Sequence, residues 1–87
     1  MLEVYQTCGI NEAIASDELF ASEIEIAFSK FRSNDWGDTC KSDKQLNNKA
    51  LKSGDRIVAL YNTSKGRVFI ITEYGHIVTT ILFGYEY

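Results

Sequence analysis

The side chains able to make or break bonds are few in this 87-residue chain: one histidine, His76, and two cysteines, Cys8 and Cys40. Hydrolase or transferase chemistry needs a nucleophile beside a base, a pair of carboxylates in a cleft, or a metal cluster. His76 follows the turn pair Tyr74-Gly75, where an imidazole is expected to face solvent. Cys8 and Cys40 fall in no Cys-x-x-Cys or Cys/His ligand spacing, so both read as reduced thiols, with neither a metal centre nor a disulfide framework expected. Lys41 beside Cys40 leaves a small opening for an activated thiol, whereas Cys8 reads as buried. Gly37, Gly54, Gly66, Gly75 and Gly84 each stand alone at an expected boundary and shape turns, not a phosphate-binding loop. The expectation is a protein without catalytic residues, cofactor or metal.

What remains is contact chemistry, and the charges are arranged for it. Residues 1–29 carry Glu3, Glu12, Asp17, Glu18, Glu23 and Glu25 with no lysine or arginine, while residues 30–67 hold all nine basic residues against four acids; the whole chain has a net charge of -3. Such a dipolar layout can steer a charged partner. Asp17, Glu18, Glu23 and Glu25 could imitate a row of phosphates and occupy a nucleic-acid site on another protein. Asp35, Trp36 and Asp38 put two acids around a large aromatic, and they read either as a contact loop or as a core plug capped by its acids. Tyr85 and Tyr87 are candidate aromatic anchors at the chain end. The competing set is basic: Lys41, Lys44, Lys49, Arg56, Lys65 and Arg67, with Lys52 among them, would line a phosphate backbone if they converged, although a pI near 5.0 weakens that electrostatic attraction.

These groups must be positioned by a small set of elements. Leu2 to Cys8 alternates as a half-buried strand and Gly9 ends it. Phe20, Ile24, Ala27, Phe28 and Phe31 recur at helical spacing, Ser16 or Asp17 can cap the start, and Lys30 and Arg32 suit the negative end of the dipole. Asn34 to Asp38 breaks that helix with residues that favour turns and left-handed backbone. Ser42-Asp43-Lys44-Gln45 has the form of a capping box opening a short second helix with Leu46, Ala50 and Leu51 on its apolar edge, closed by Ser53-Gly54. Arg56–Tyr61, Arg67–Glu73 and His76–Phe83 then read as three strands, with Ile77, Thr79, Ile81 and Phe83 facing one way and Val78, Thr80 and Leu82 the other. The predicted fold is α+β: an N-terminal strand, two helices, then a three-stranded antiparallel meander packed on the helices.

Length allows one domain over 1–87, since so short a chain has no room for a second core. With 45% hydrophobic residues, 13% aromatics and no proline, the chain reads as folded, without linkers or polyproline ligands. No apolar run approaches the ~18 residues of a membrane span, and the first residues carry acid where a secretory signal needs a basic end, so a cytoplasmic protein without membrane partners is expected.

Asn34-Asp35-Trp36-Gly37-Asp38-Thr39-Cys40, Lys44 to Asn48, Asp55 to Tyr61, Phe69-Ile70-Ile71-Thr72-Glu73 and Val78 to Phe83 together give the chain a likeness to a known group. It resembles small proteins encoded on plasmids, phages and other mobile elements of Gram-positive bacteria, over roughly residues 28–87. The chain departs from their pattern at Gly75-His76, where that family has Asp-Arg nearby, and at Gly84, where it has proline. The resemblance implies a cytoplasmic accessory protein of a mobile element, and by association an inhibitor of host defence of anti-CRISPR or antirestriction type. The expected function is non-enzymatic occlusion of a surface on a larger host or mobile-element protein, such as a nucleic-acid-handling enzyme, with a homodimer left open. A nucleic-acid-binding accessory protein is the alternative. A ribonuclease toxin of RelE or ParE type ranks third, on the order of elements alone.

Overall fold

A computed structural model describes residues 3–87. The chain runs β1 (Glu3–Gln6), α1 (Cys8–Ser16), α2 (Glu18–Arg32), α3 (Lys41–Ser53), β2 (Ile57–Thr63), β3 (Gly66–Thr72), β4 (Val78–Phe83) and a closing 3-10 turn over Gly84–Glu86. The strands form one sheet in the order β1-β4-β3-β2. The α+β class holds. The three-stranded meander is corrected to a four-stranded mixed sheet, because β1 lies parallel to β4 with Val4 opposite Thr79 and Gln6 opposite Ile81. Leu2, the first residue of the expected strand, lies outside the described residues.

The two expected helices are three. Thr7 has extended backbone and its hydroxyl accepts the Ile10 N–H at 3.3 Å, which starts a helix where the strand was expected to continue. Cys8 therefore sits on an exposed first turn and not in the core. Asp17 ends α1 and caps α2 at once: its φ of -145° interrupts the helix, and its carboxylate accepts the Phe20 N–H at 3.1 Å. The α2 stripe is as expected, with Phe20, Ile24, Ala27 and Phe31 buried and Lys30 and Arg32 in the last turn. α3 starts at Lys41 with Cys40 in the cap position and no side-chain cap bond, so the Ser42 capping box does not form. It buries Asn47 and Ala50, while Leu46 stays 60% exposed.

One sheet face carries Ile57, Ala59, Tyr61, Val68, Ile70, Ile81 and Phe83 into a core shared with Ile10 of α1 and the α2 stripe. The opposite face is also apolar, with Ile71 and Leu82 buried and Val58, Leu60 and Phe69 half-buried. The β2 edge is closed by side chains acting as a surrogate strand. Asn47 bonds both the Val58 N–H (3.3 Å) and C=O (2.9 Å), the Thr39 hydroxyl accepts the Leu60 N–H (2.8 Å), and Asp38 accepts the Asn62 N–H (2.8 Å). No described helix is long and apolar enough to cross a membrane.

A candidate binding cleft

The C-terminal end of α2 stops short of the sheet end where β1 and β4 begin, and the gap is a cleft of about 430 Å³. Its floor is Phe31, Trp36 and Ile57, its walls are Val4, Phe28 and Leu51, and its polar groups are Arg32, Asn34, Thr72, His76 and Thr79. The size falls within the ordinary range for a small ligand or a few peptide side chains, and an apolar body with a few convergent polar groups is what such sites present.

The loop after α2 sets the floor. Asp35 accepts the Gly37 N–H on its carboxylate (3.0 Å) and the Tyr61 hydroxyl on its backbone carbonyl (2.7 Å). Gly37 has a φ of 61°, and a Cβ there would run into the Tyr61 ring, so only glycine suits the position. These ties drive Trp36 inward, where it is 4% exposed, stands edge-on to Phe31 at 5.5 Å and donates its indole N–H to Asn48 at 2.9 Å. Burial pushes the Tyr61 hydroxyl pKa up, and the charges of Asp35 and Asp38 add to the effect.

Asn34 and His76, at φ of 63° and 58°, are the two non-glycine residues with left-handed backbone among those described, and both line this cleft. Such strained positions concentrate at functional sites. His76 Nε2 lies 2.7 Å from the Asp55 carbonyl. A carbonyl only accepts, so Nε2 carries the hydrogen and Nδ1 of the neutral ring keeps a lone pair. The Thr72 and Thr79 hydroxyls behind it are 2.8 Å apart and bonded to each other. Arg32 holds its guanidinium over the Phe28 ring at 5.9 Å and makes no ion pair among the described residues. Among the described residues it is the one charged group in the lining, while Glu25 lies in a neighbouring groove that shares Arg32.

The residues expected to carry contact are placed differently. Asp17 and Glu23 serve the fold. The Phe20 N–H holds the Asp17 carboxyl below the ordinary carboxylate range with help from Lys65, 3.5 Å away, and Glu23 accepts the Ser64 N–H from the β2–β3 turn at 3.0 Å. Glu18 and Glu25 are exposed and have no side-chain partner among the described residues. Asp35, Trp36 and Asp38 are taken up by the loop ties and the β2 edge. Tyr85 is 80% exposed and stacks on Phe83 at 5.1 Å, whereas Tyr87 folds back onto Phe69 at 5.2 Å beneath the Arg56 guanidinium.

The basic set is spread over several elements. Lys41, Lys44 and Lys49 lie along α3, Lys65 is paired across the molecule with Asp17, and Arg67 stands on β3. Arg56 is occupied too, since its Nε is 3.2 Å from the Glu73 carboxylate, an ionic contact that lacks hydrogen-bond geometry. Sequence reasoning missed Arg32, Phe28, Leu51 and Val4 as site residues. The available signal was the left-handed preference of Asn34 two residues past the helix, together with His76 directly after Gly75. Comparison with protein families, curated proteins and solved structures finds no match to the chain.

Proposed function

We propose that the chain is a non-enzymatic binding module that covers a surface on a larger protein, with the end cleft as its recognition site. The observation that carries the reading is the mouth of the cleft. Val4 and Leu51 are 45% and 41% exposed in its walls, and Ile77, joined to β1 by the Glu3 N–H to Ile77 C=O bond, is 57% exposed beside it. Clustered exposed apolar side chains around a cavity are what a partner surface covers. The likeness to proteins of mobile elements supports a host-defence enzyme as the partner, inhibited in the anti-CRISPR or antirestriction manner, with Glu18 and Glu25 as the acids free to face its basic groups.

Partner capture from host lysate tests this with two variants. Leu51→Glu puts a charge into the cleft mouth at a position open to solvent, and is expected to reduce recovery at least about tenfold with the melting midpoint retained, the loss of one buried apolar contact at an interface being worth that much. Glu18→Lys with Glu25→Lys is expected to reduce it in a salt-dependent way. Undiminished recovery by a folded Leu51→Glu variant removes the cleft from the function. Salt-sensitive retardation of nucleic acid by the wild-type protein would instead favour the lysines of α3.

A further inference from the structure

We infer that the cleft recognises the C-terminal residue of a partner polypeptide, its apolar side chain against Trp36 and Phe31 and its carboxylate at Arg32. The inference rests on the reading of the cleft as the recognition site and adds the chemistry of what enters it.

Charge complementarity comes first. The molecule carries a net charge of -3, yet among the described residues no aspartate or glutamate lines the cleft and the charge in its lining is the Arg32 guanidinium. That guanidinium makes no ion pair among the described residues and is held over Phe28, so its fork is oriented without being consumed. A planar fork at the rim of an apolar cavity suits a carboxylate, which it can bind through two parallel hydrogen bonds. The Asn34 amide adds a further donor on the same rim.

The acceptor on the rim distinguishes a chain terminus from a simple apolar acid. The Nε2–H of His76 is given to the Asp55 carbonyl, so in its uncharged form the ring has only the Nδ1 lone pair left to offer. An aryl or alkyl carboxylic acid offers acceptors alone and would leave that lone pair without a donor. A C-terminal residue offers a carboxylate for Arg32 and Asn34 and a peptide N–H for His76, along with a side chain for the floor. A ligand that takes water from this acceptor without replacing the hydrogen bond binds at a cost, so the site discriminates in favour of the ligand that supplies both.

The chain has a single tryptophan, and it forms the cleft floor, so its fluorescence reads occupancy directly. The probes are acetyl-Gly-Leu-Phe with a free carboxylate, the same tripeptide as its C-terminal amide, and 3-phenylpropionate. The free tripeptide is expected to shift Trp36 emission saturably and to bind at least about tenfold more tightly than either of the others, as a charge-assisted hydrogen-bond pair provides. Arg32→Gln, an exposed substitution, is expected to abolish the acid-over-amide preference while leaving the melting midpoint unchanged. Equal binding of acid and amide overturns the inference, as does phenylpropionate matching the tripeptide or no response to any probe. The recognition-site reading is judged separately, since Leu51→Glu acts on partner capture whatever the probes do.

Discussion

Asn47 offers the sharpest test of how this fold is held. Its carboxamide takes the place of the strand that β2 lacks, donating to the Val58 carbonyl at 2.9 Å and accepting from the Val58 N–H at 3.3 Å, and the side chain is 4% exposed. Asn47→Ala removes both bonds and orphans two partly buried peptide groups, a loss of about 2–4 kcal/mol. Alanine is the better helix former by roughly 0.6 kcal/mol, so the net loss is about 1.4–3.4 kcal/mol. For a chain of this size that corresponds to a fall in melting midpoint of roughly 6–27 °C. Urea unfolding followed by Trp36 fluorescence, with calorimetry beside it, measures the loss, and Lys49→Ala on the exposed side of α3 controls for helix propensity. If Asn47→Ala lies within about 0.5 kcal/mol of that control, well under the net value of one hydrogen bond, the edge-closing role is wrong.

Two further outcomes follow from the same geometry. The Tyr61 hydroxyl has its pKa raised by burial first and then by Asp35 and Asp38. Below about pH 10 the folded and unfolded states both keep the proton; above it the unfolded chain releases its proton first, so stability falls as pH rises. Tyr61→Phe should weaken that alkaline fall, at a loss of about 1 kcal/mol near neutrality from the orphaned Asp35 carbonyl; an alkaline melting profile identical to wild type argues against it. Cys8 and Cys40 are both exposed, so a thiol reagent should titrate two groups in the native protein without denaturant, and a second group appearing only on unfolding would return Cys8 to the interior.

The parts of the fold legible in the sequence are those whose determinants are local and repeated. α2 announces itself because four buried positions fall on one stripe and both ends carry the expected charges. α1 hides because its cap, Thr7, also continues the strand alternation, and its second residue is Gly9. Alternation in Glu3–Gln6 signals a strand but carries no information on its neighbour, and the parallel pairing with β4 arises only once α1 and α2 return the chain to the far side of the sheet. α3 misleads because its buried edge contains a polar residue. Asn47 is inside for its hydrogen bonds, a reason visible only when the β2 edge lies opposite it, and Leu46 is left outside in consequence.

The same limit governs the functional residues. A row of acids in a sequence counts every carboxylate as available, but Asp17 and Glu23 are bound by backbone amides at the α2 start and the β2–β3 turn, which halves the face they were expected to form with Glu18 and Glu25. The cleft, by contrast, draws three residues from α2, one each from α3 and the four strands, and Asn34, Trp36 and His76 from two loops, so no linear motif marks it. What the sequence does hold is two residues in places where asparagine and histidine must accept left-handed backbone, and they meet only in three dimensions. Arg32 lies two residues before the first of them, which makes the end of α2 both the structural stop and the source of the charge that the described residues bring to the cleft. Any substitution that straightens Asn34 into continued helix would therefore move the guanidinium, the Trp36 floor and the rim amide together, and a single change there should remove recognition more completely than the loss of any one group.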